Sequence, residues 1–324
     1  MQDQSTEPGA LPIALAALIA ALIYAFGLYG LTNLVRPDSG MAVVGFLLGA
    51  PFACCGLASL IVGFRRDLSL NRHMAISAIV VTAMLLAAGV ILREGSICLV
   101  MAAPLFYGLG LLGGVLVGAL LKRRSRGTTA ACSLAVCLPL LVLPVESSMV
   151  YPEQTGSVTS VMLIDAPPAA VWANTVELRA IRSDELSPDV SHTLLGVPQP
   201  VDARLEGQGV GAVRHIEWRR GLHFEEVVTA WSPGRALQWR FAFQPDSIPP
   251  ALDRRINMNS DYLRLEGGEY RFEALPDGRT RLTLETRYWL KTPINGYCDA
   301  WANLFLNDMH GAVLRVIKAR SEAA

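Results

Sequence analysis

The sequence predicts an all-α membrane region followed by an α+β domain, a curved antiparallel sheet covered by one long C-terminal helix. Three observations carry this. Residues 1–146 hold five long apolar runs separated by small clusters of charge. From Glu146 onward charges recur every few residues and strand-like alternation replaces the runs. Residues 295–320, free of proline, then place Trp301, Phe305, Met309, Val313 and Val316 on one stripe at helical spacing.

The chain of 324 residues is long enough for two domains, and 52% of it is hydrophobic. Its mean hydropathy, +0.37, is high for a soluble protein. Lys plus Arg and Asp plus Glu number 28 each, so a net charge of zero conceals two halves suited to different solvents. No strongly basic patch exists, which argues against nucleic acid as a partner.

The apolar runs cover 11–31, 41–64, 74–92, 96–121 and 128–145, and the first four contain no Asp, Glu, Lys or Arg. Each meets the length of about 18 residues that a spanning helix needs, and helix is the state that pairs every backbone group inside lipid. The fifth is shorter and carries Pro139 and Pro144. Residues 1–10 contain Asp3 and Glu7 but no Lys or Arg, so the first run reads as a retained helix rather than a cleaved signal peptide. Arg65, Arg66 and Arg72 lie in the second connection and Lys122, Arg123, Arg124 and Arg126 in the fourth, against Arg36 and Arg93 in the first and third. The positive-inside rule then puts the amino terminus of a multi-pass cell-membrane protein in the cytoplasm. Five crossings leave the soluble domain outside; if 128–145 does not span, the domain is cytoplasmic.

Small residues recur at Gly45, Gly49 and Ala53 and at Gly110, Gly114 and Gly118. Such stripes suit helix packing within one chain, the favoured reading, or a homodimer face. The first four runs lack the buried carboxylate or Lys that marks an ion path, so anchoring in the bilayer is the expected role. Five of the six Cys fall in these runs, leaving Cys298 alone in the soluble half. No metal or cofactor motif is present.

A linker is expected over 147–156 and a domain over 157–322. Strands are predicted at 158–164, 211–218, 222–231, 236–243, 261–266, 269–275 and 280–290, with turns at Gly267-Gly268 and Pro276-Asp-Gly. A helix over 169–178 has Asp165 available as its cap, and a polar, proline-containing stretch extends to about residue 209. Leu237, Trp239, Phe241 and Phe243 alternate with Gln238 and Arg240, and the later strands alternate likewise, so one face is buried and the other solvated. A single helix cannot fill a broad concave face, so the arrangement tends to leave a cavity.

Ile164-Asp-Ala-Pro-Pro-Ala-Ala-Val-Trp172, Gly209-Val-Gly-Ala-Val-Arg214, the segment 221–231 ending Val-Val-Thr-Ala-Trp, and Pro233-Gly-Arg-Ala-Leu237 together resemble the START-like (SRPBCC) superfamily. Thr292-Pro-Ile-Asn-Gly-Tyr-Cys-Asp-Ala-Trp301, Asp308 and Ile317-Lys-Ala-Arg320 resemble a bacterial branch of unassigned function. The resemblance spans 157–322 and implies a helix-grip fold with an apolar-ligand cavity; polyketide cyclases and lipid-transfer domains share that fold, so it implies no reaction.

Arg214 and Glu226 alternate with apolar neighbours on adjacent predicted strands and form a sensible buried pair, as a ligand anchor or as an organiser of the sheet. Asp308, at the edge of the helical stripe, is a candidate to orient a ligand hydroxyl or, more simply, to cap a loop. Trp218, Trp239, Tyr270, Tyr288, Tyr297 and Trp301 are candidate cavity-wall aromatics that serve equally as core. His192, His215, His223 and His310 form no pairing defensible from spacing, and Arg254-Arg255 form a small basic feature in a long loop. The reading that results is a membrane-tethered binding module for a lipid-like or other apolar molecule, with no catalytic residue or cofactor assigned. A cyclase- or hydrolase-type enzyme using Arg214, Glu226 or Asp308 is the alternative, and a sensory or protein-interaction domain a further one.

Overall fold

In a computed structural model, residues 10–35, 45–123, 126–146, 149–252 and 256–323 are described. Arg36, Arg124, Arg254-Arg255, the segment 1–9 and the start of the expected linker lie outside them. The chain divides into two compact units, Met1–Glu94 with Cys98–Val150, and Tyr151–Ala324 with Gly95–Ile97.

The first unit is helical: α1 (Ala10–Val35), α2 (Ala50–Arg65, entered through a π-helical turn at Gly45–Gly49), α3 (Leu70–Ala87, extended by a π turn at Ala88–Leu92), α4 (Ser96–Leu121) and α5 (Arg126–Glu146). Among the described residues four helices are long and apolar enough to cross a membrane, not the five expected: Leu11–Leu34, Phe46–Arg65, Leu70–Leu92 and Ser96–Leu121. The expected fifth crossing falls on α5, of which Ala130–Val142 is the described apolar part. On α1, Leu11, Leu15, Ile19 and Ile23 form an exposed apolar line, which lipid tolerates and water does not. The glycine stripe of α4 packs inside this unit. A Cβ on Gly110 would run into Val81 and Cys55, one on Gly114 into Ser77 and Ser59, and one on Gly118 into the His73 ring. Gly49 meets Pro139 in the same way. His73, which sequence reasoning passed over, is thereby buried at 2% exposure.

The second unit is a seven-stranded antiparallel sheet in the order β1-β7-β6-β5-β4-β3-β2, with the helix-grip arrangement around α8 (Asn295–Glu322). Its strands are β1 (Glu153–Ile164), β2 (Pro200–Glu206), β3 (Val213–Trp218), β4 (His223–Ser232), β5 (Ala236–Ala242), β6 (Leu263–Ala274) and β7 (Thr280–Lys291). α6 (Pro168–Val176) and the single turn α7 (Val190–Thr193) complete it.

Several expectations need correction. β2 lies in the stretch read as structureless, where Val201, Ala203 and Leu205 were outweighed by flanking proline and charge. Gly267-Gly268 do not turn the chain but sit within one continuous β6, at a bulge. Their missing side chains make room there: a Cβ on Gly268 would overlap the Trp239 ring and one on Gly267 the Trp239 carbonyl. Asp165 does not cap α6, whose N-cap is Pro167 without a side-chain bond; instead the Asp165 backbone N–H donates to Glu322.

α8 presses on the sheet through two packed regions. Leu314, Val316 and Ile317 join Ile164, Val171, Leu237, Trp239, Tyr270 and Leu282 in the main core. Leu306 joins Val158, Tyr288 and Leu290 in a smaller one. Burying each such large apolar side chain is worth about 1.5–3 kcal/mol.

Candidate functional site

Four constellations contain the residues singled out from the sequence. In the first, register places Arg214 directly opposite Glu226, at 3% and 7% exposure. Arg214 Nη1 donates to the Glu226 carboxylate. Its Nε and Nη2 donate to the carbonyls of Val176 and Thr175, each at 3.0 Å. These are among the carbonyls that the C-terminus of α6 leaves free, and a cation suits that end of a helix. The guanidinium stands 5.6 Å from the Trp239 ring centre and 5.8 Å from that of Tyr270, within cation–π range. Burial raises the Glu226 carboxyl above its ordinary pKa while Arg214 opposes the rise. Burial likewise pushes the Tyr270 hydroxyl up to about 12. The pair thus fastens α6 to the sheet, and the three nitrogens of Arg214 are all engaged.

The second constellation holds the first turns of α8 to β7. Tyr288 Oη donates to Asp299 Oδ1 at 2.6 Å, and Asn303 Nδ2 reaches Tyr288 Oη at 3.4 Å. Burial and the neighbouring Asp299 raise the Tyr288 pKa. Gly156 is paired with Tyr288 across the β1–β7 ladder, and a Cβ there would overlap the phenol ring.

The third is an aromatic ladder on α8. Tyr297 and Trp301 have ring centres 6.2 Å apart and Trp301 and Phe305 5.5 Å apart. All three are half-buried, and none belongs to either packed region of the unit.

The fourth joins α7 to α8. Asp308 Oδ2 accepts from the backbone N–H of Ser191 at 2.9 Å. Asp189 caps α7 by accepting from the His192 backbone N–H at 2.8 Å, and its two oxygens lie 2.6 and 2.7 Å from His192 Nδ1. Arg315 Nη2 stands 3.7 Å from Asp189 Oδ2, with the guanidinium folded back over Gly311. The His192 ring lies parallel to Trp218 at 6.1 Å, and its side chain is 1% exposed.

Arg214, Glu226, Trp239 and Tyr270 therefore come together, as do Trp218 and Asp308 through α7. Tyr288 sits under α8, and Tyr297 and Trp301 line its flank. Arg214, Glu226 and Asp308 do not converge on one point. Asp189 and Arg315 are absent from the sequence reading, and His192 enters it only among four histidines without a pairing defensible from spacing. Pro188-Asp189 three residues before His192 is a helix-start signal that marked α7, and Arg315 follows Asp308 by two helical turns. Elsewhere His215 lies between Glu206 and Glu225, at 3.1 and 3.5 Å, along an open surface groove at the β2–β3 turn.

No protein-family model matches the chain, and no curated protein does. Solved structures resemble it over about half its length. One titled Ara h 8.0201 is 12% identical and covers 53% of this chain and 100% of its own, with a TM-score of 0.32. An uncharacterised protein from Bacillus thuringiensis is 11% identical over 52% of this chain and 100% of its own, TM-score 0.34. One from Rhizobium leguminosarum is 12% identical over 54% and 100%, TM-score 0.33.

Proposed function

We propose that the second unit is a binding domain for a lipid-like or other apolar small molecule, a START-like module tethered to the bilayer by the helical unit. The aromatic ladder Tyr297–Trp301–Phe305 carries this reading. Three large rings on one helix flank stay half-buried outside both cores, whereas a helix serving only as a lid would bury them. An apolar ligand laid along that flank removes the remaining ring surface from water. The enzyme alternative finds less support, because Asp308 is engaged at α7, apart from the Arg214–Glu226 pair. With the arginine-rich connections inside, a crossing by α5 puts the domain outside the cytoplasm, and without it the domain is cytoplasmic.

All six tryptophans lie in the second unit, so their fluorescence reports on it alone within the intact chain. In lipid nanodiscs, a brominated long-chain ligand is expected to quench this emission saturably, above the level that its partition into the lipid produces. Replacing Trp301 and Phe305 together by Ala should weaken binding about tenfold, the equivalent of about 1.4 kcal/mol. Quenching that never saturates would sink the reading.

A further inference from the structure

The two edges of the seven-stranded sheet differ in what meets them. β2, at one edge, is covered. Leu178 exchanges backbone hydrogen bonds with Ala203 at 2.9 and 2.8 Å, and the Ile181 N–H donates to the Val201 carbonyl at 2.8 Å. β2 also carries Pro200, Asp202, Arg204 and Glu206 and an irregular register against β3. Proline, charge and irregularity are the devices by which an edge strand avoids further pairing. β1, at the other edge, has none of them. It runs for 12 residues in unbroken register with β7, and from Gln154 to Ile164 it holds neither charge nor proline.

Three hydrogen bonds fix which backbone groups of β1 aim outward. Lys291 lies opposite Glu153 and sends its N–H away from β1, to the Tyr262 carbonyl. The Leu163 carbonyl accepts from Lys318 Nζ at 2.7 Å, and the Asp165 N–H donates to Glu322 Oε1 at 2.8 Å. In an antiparallel ladder the N–H and C=O of one residue aim the same way, and the direction alternates along the strand. Thr155, Ser157, Thr159 and Val161 therefore turn theirs away from β7. Among the described residues no backbone group pairs with them. α8 closes the edge only at its far end, through Lys318 and Glu322. The four side chains are exposed on the outer face of the sheet, Val161 to 55%.

We infer that this edge pairs with the same edge of a second copy of the chain, joining two sheets into one. A strand laid antiparallel on itself is two-fold symmetric, so the contact closes at a dimer. Outward groups must face outward groups, which leaves only registers that set odd-numbered residues against odd-numbered ones. Charge selects among these. Thr159 set against itself would put Glu153 opposite Asp165, like against like. A shift of one pleat sets Thr155 opposite Val161 and Ser157 opposite Thr159, and puts Glu153 opposite Leu163, where Lys318 stands. Unlike charges then meet at both ends. The facing pairs exchange about eight hydrogen bonds, and hydroxyl and β-branched side chains pair across the new ladder. A foreign strand could satisfy the same backbone groups, but the match of both ends is a property of this chain's own sequence. The contact is independent of what the domain binds.

The test uses the full chain in its membrane, with the photo-crosslinking residue p-benzoylphenylalanine replacing Ser157 or, as a control, Arg204 on the covered edge. Irradiation is expected to join two full chains from position 157, through residues 155–161 of the second copy, and to join few from position 204. Thr159→Pro removes one outward N–H from each copy and leaves the β1–β7 ladder whole. Thr159→Lys brings two like charges together near the two-fold axis. Each should lower the two-chain adduct about tenfold without changing tryptophan-detected melting in nanodiscs. No two-chain adduct from position 157, or an equal one from position 204, would overturn the inference. So would an adduct mapping to the helical unit, capture of a different protein alone, or an adduct that both variants leave intact. If Thr159→Pro unfolds the domain, Thr159→Lys decides.

Discussion

His310 shows how a single buried side chain sets a pH limit. It is 4% exposed, with Nδ1 3.0 Å from Ser160 Oγ on β1 and Nε2 2.8 Å from Thr286 Oγ1 on β7. Both partners are neutral hydroxyls, and burial lowers its pKa from 6.5 to about 4. Between those values the unfolded chain binds a proton that the folded unit refuses. Its contribution to stability is therefore complete above about pH 6.5 and is lost as pH falls toward 4, by up to about 3 kcal/mol. Urea titrations followed by tryptophan fluorescence should show this slope in the wild type and a flatter one in His310→Gln, whose amide carries no titrating proton. An equal slope in both would assign the acid sensitivity to other groups. Histidine spacing alone could not reveal this role, because Ser160, Thr286 and His310 meet only after β1, β7 and α8 have packed.

At the level of elements, the Arg214–Glu226 pair is where α6 is fixed to the sheet. Losing one partner leaves a buried charge uncompensated, so Arg214→Met or Glu226→Met should each cost about 3–5 kcal/mol, and the double replacement much less than their sum. A double-mutant cycle in urea measures the coupling; additive losses would mean that the two side chains act independently. This pairing was legible in the sequence because both residues sit on strands with clean period-two alternation, where the face of a side chain follows from its number. The same rule placed Leu237, Trp239, Tyr270, Phe272, Leu282 and Leu284 inside, as the structure has them. Legibility failed where local chemistry and tertiary context disagree. Gly267-Gly268 look like a turn, yet here they yield space to Trp239. β2 is a short strand carrying Pro200 and three charges, recognisable only by its pairing with β3. The α7–α8 cluster draws on residues more than a hundred positions apart, and no spacing rule connects Asp189 with Arg315.

For the molecule as a whole, two solvents are written into one chain, and the side on which the second unit meets water follows from counting crossings. The exposed Leu and Ile of α1 and the four helices long and apolar enough to cross a hydrocarbon core of about 30 Å suit lipid. The second unit instead shows a ladder of Arg–Glu pairs on its outer sheet face, among them Arg271 with Glu269 and Glu285 and Arg281 with Glu273. The arginines of these pairs are exposed, so the pairs add little stability but keep that face wet. α5 decides the topology: it is helical over 21 residues, about 31 Å, and Ala130–Val142 is its described apolar part. Four crossings return the chain to the side of its basic connections, and a fifth would carry it across. Asp246, 81% exposed in the second unit, gives a clean reporter. With Asp246→Cys in intact cells, a membrane-impermeant maleimide is expected to label the new thiol only after the membrane is opened, with the parent chain as the blank for the native cysteines. Labelling of intact cells would make α5 a true crossing and place the ligand site on the outer side.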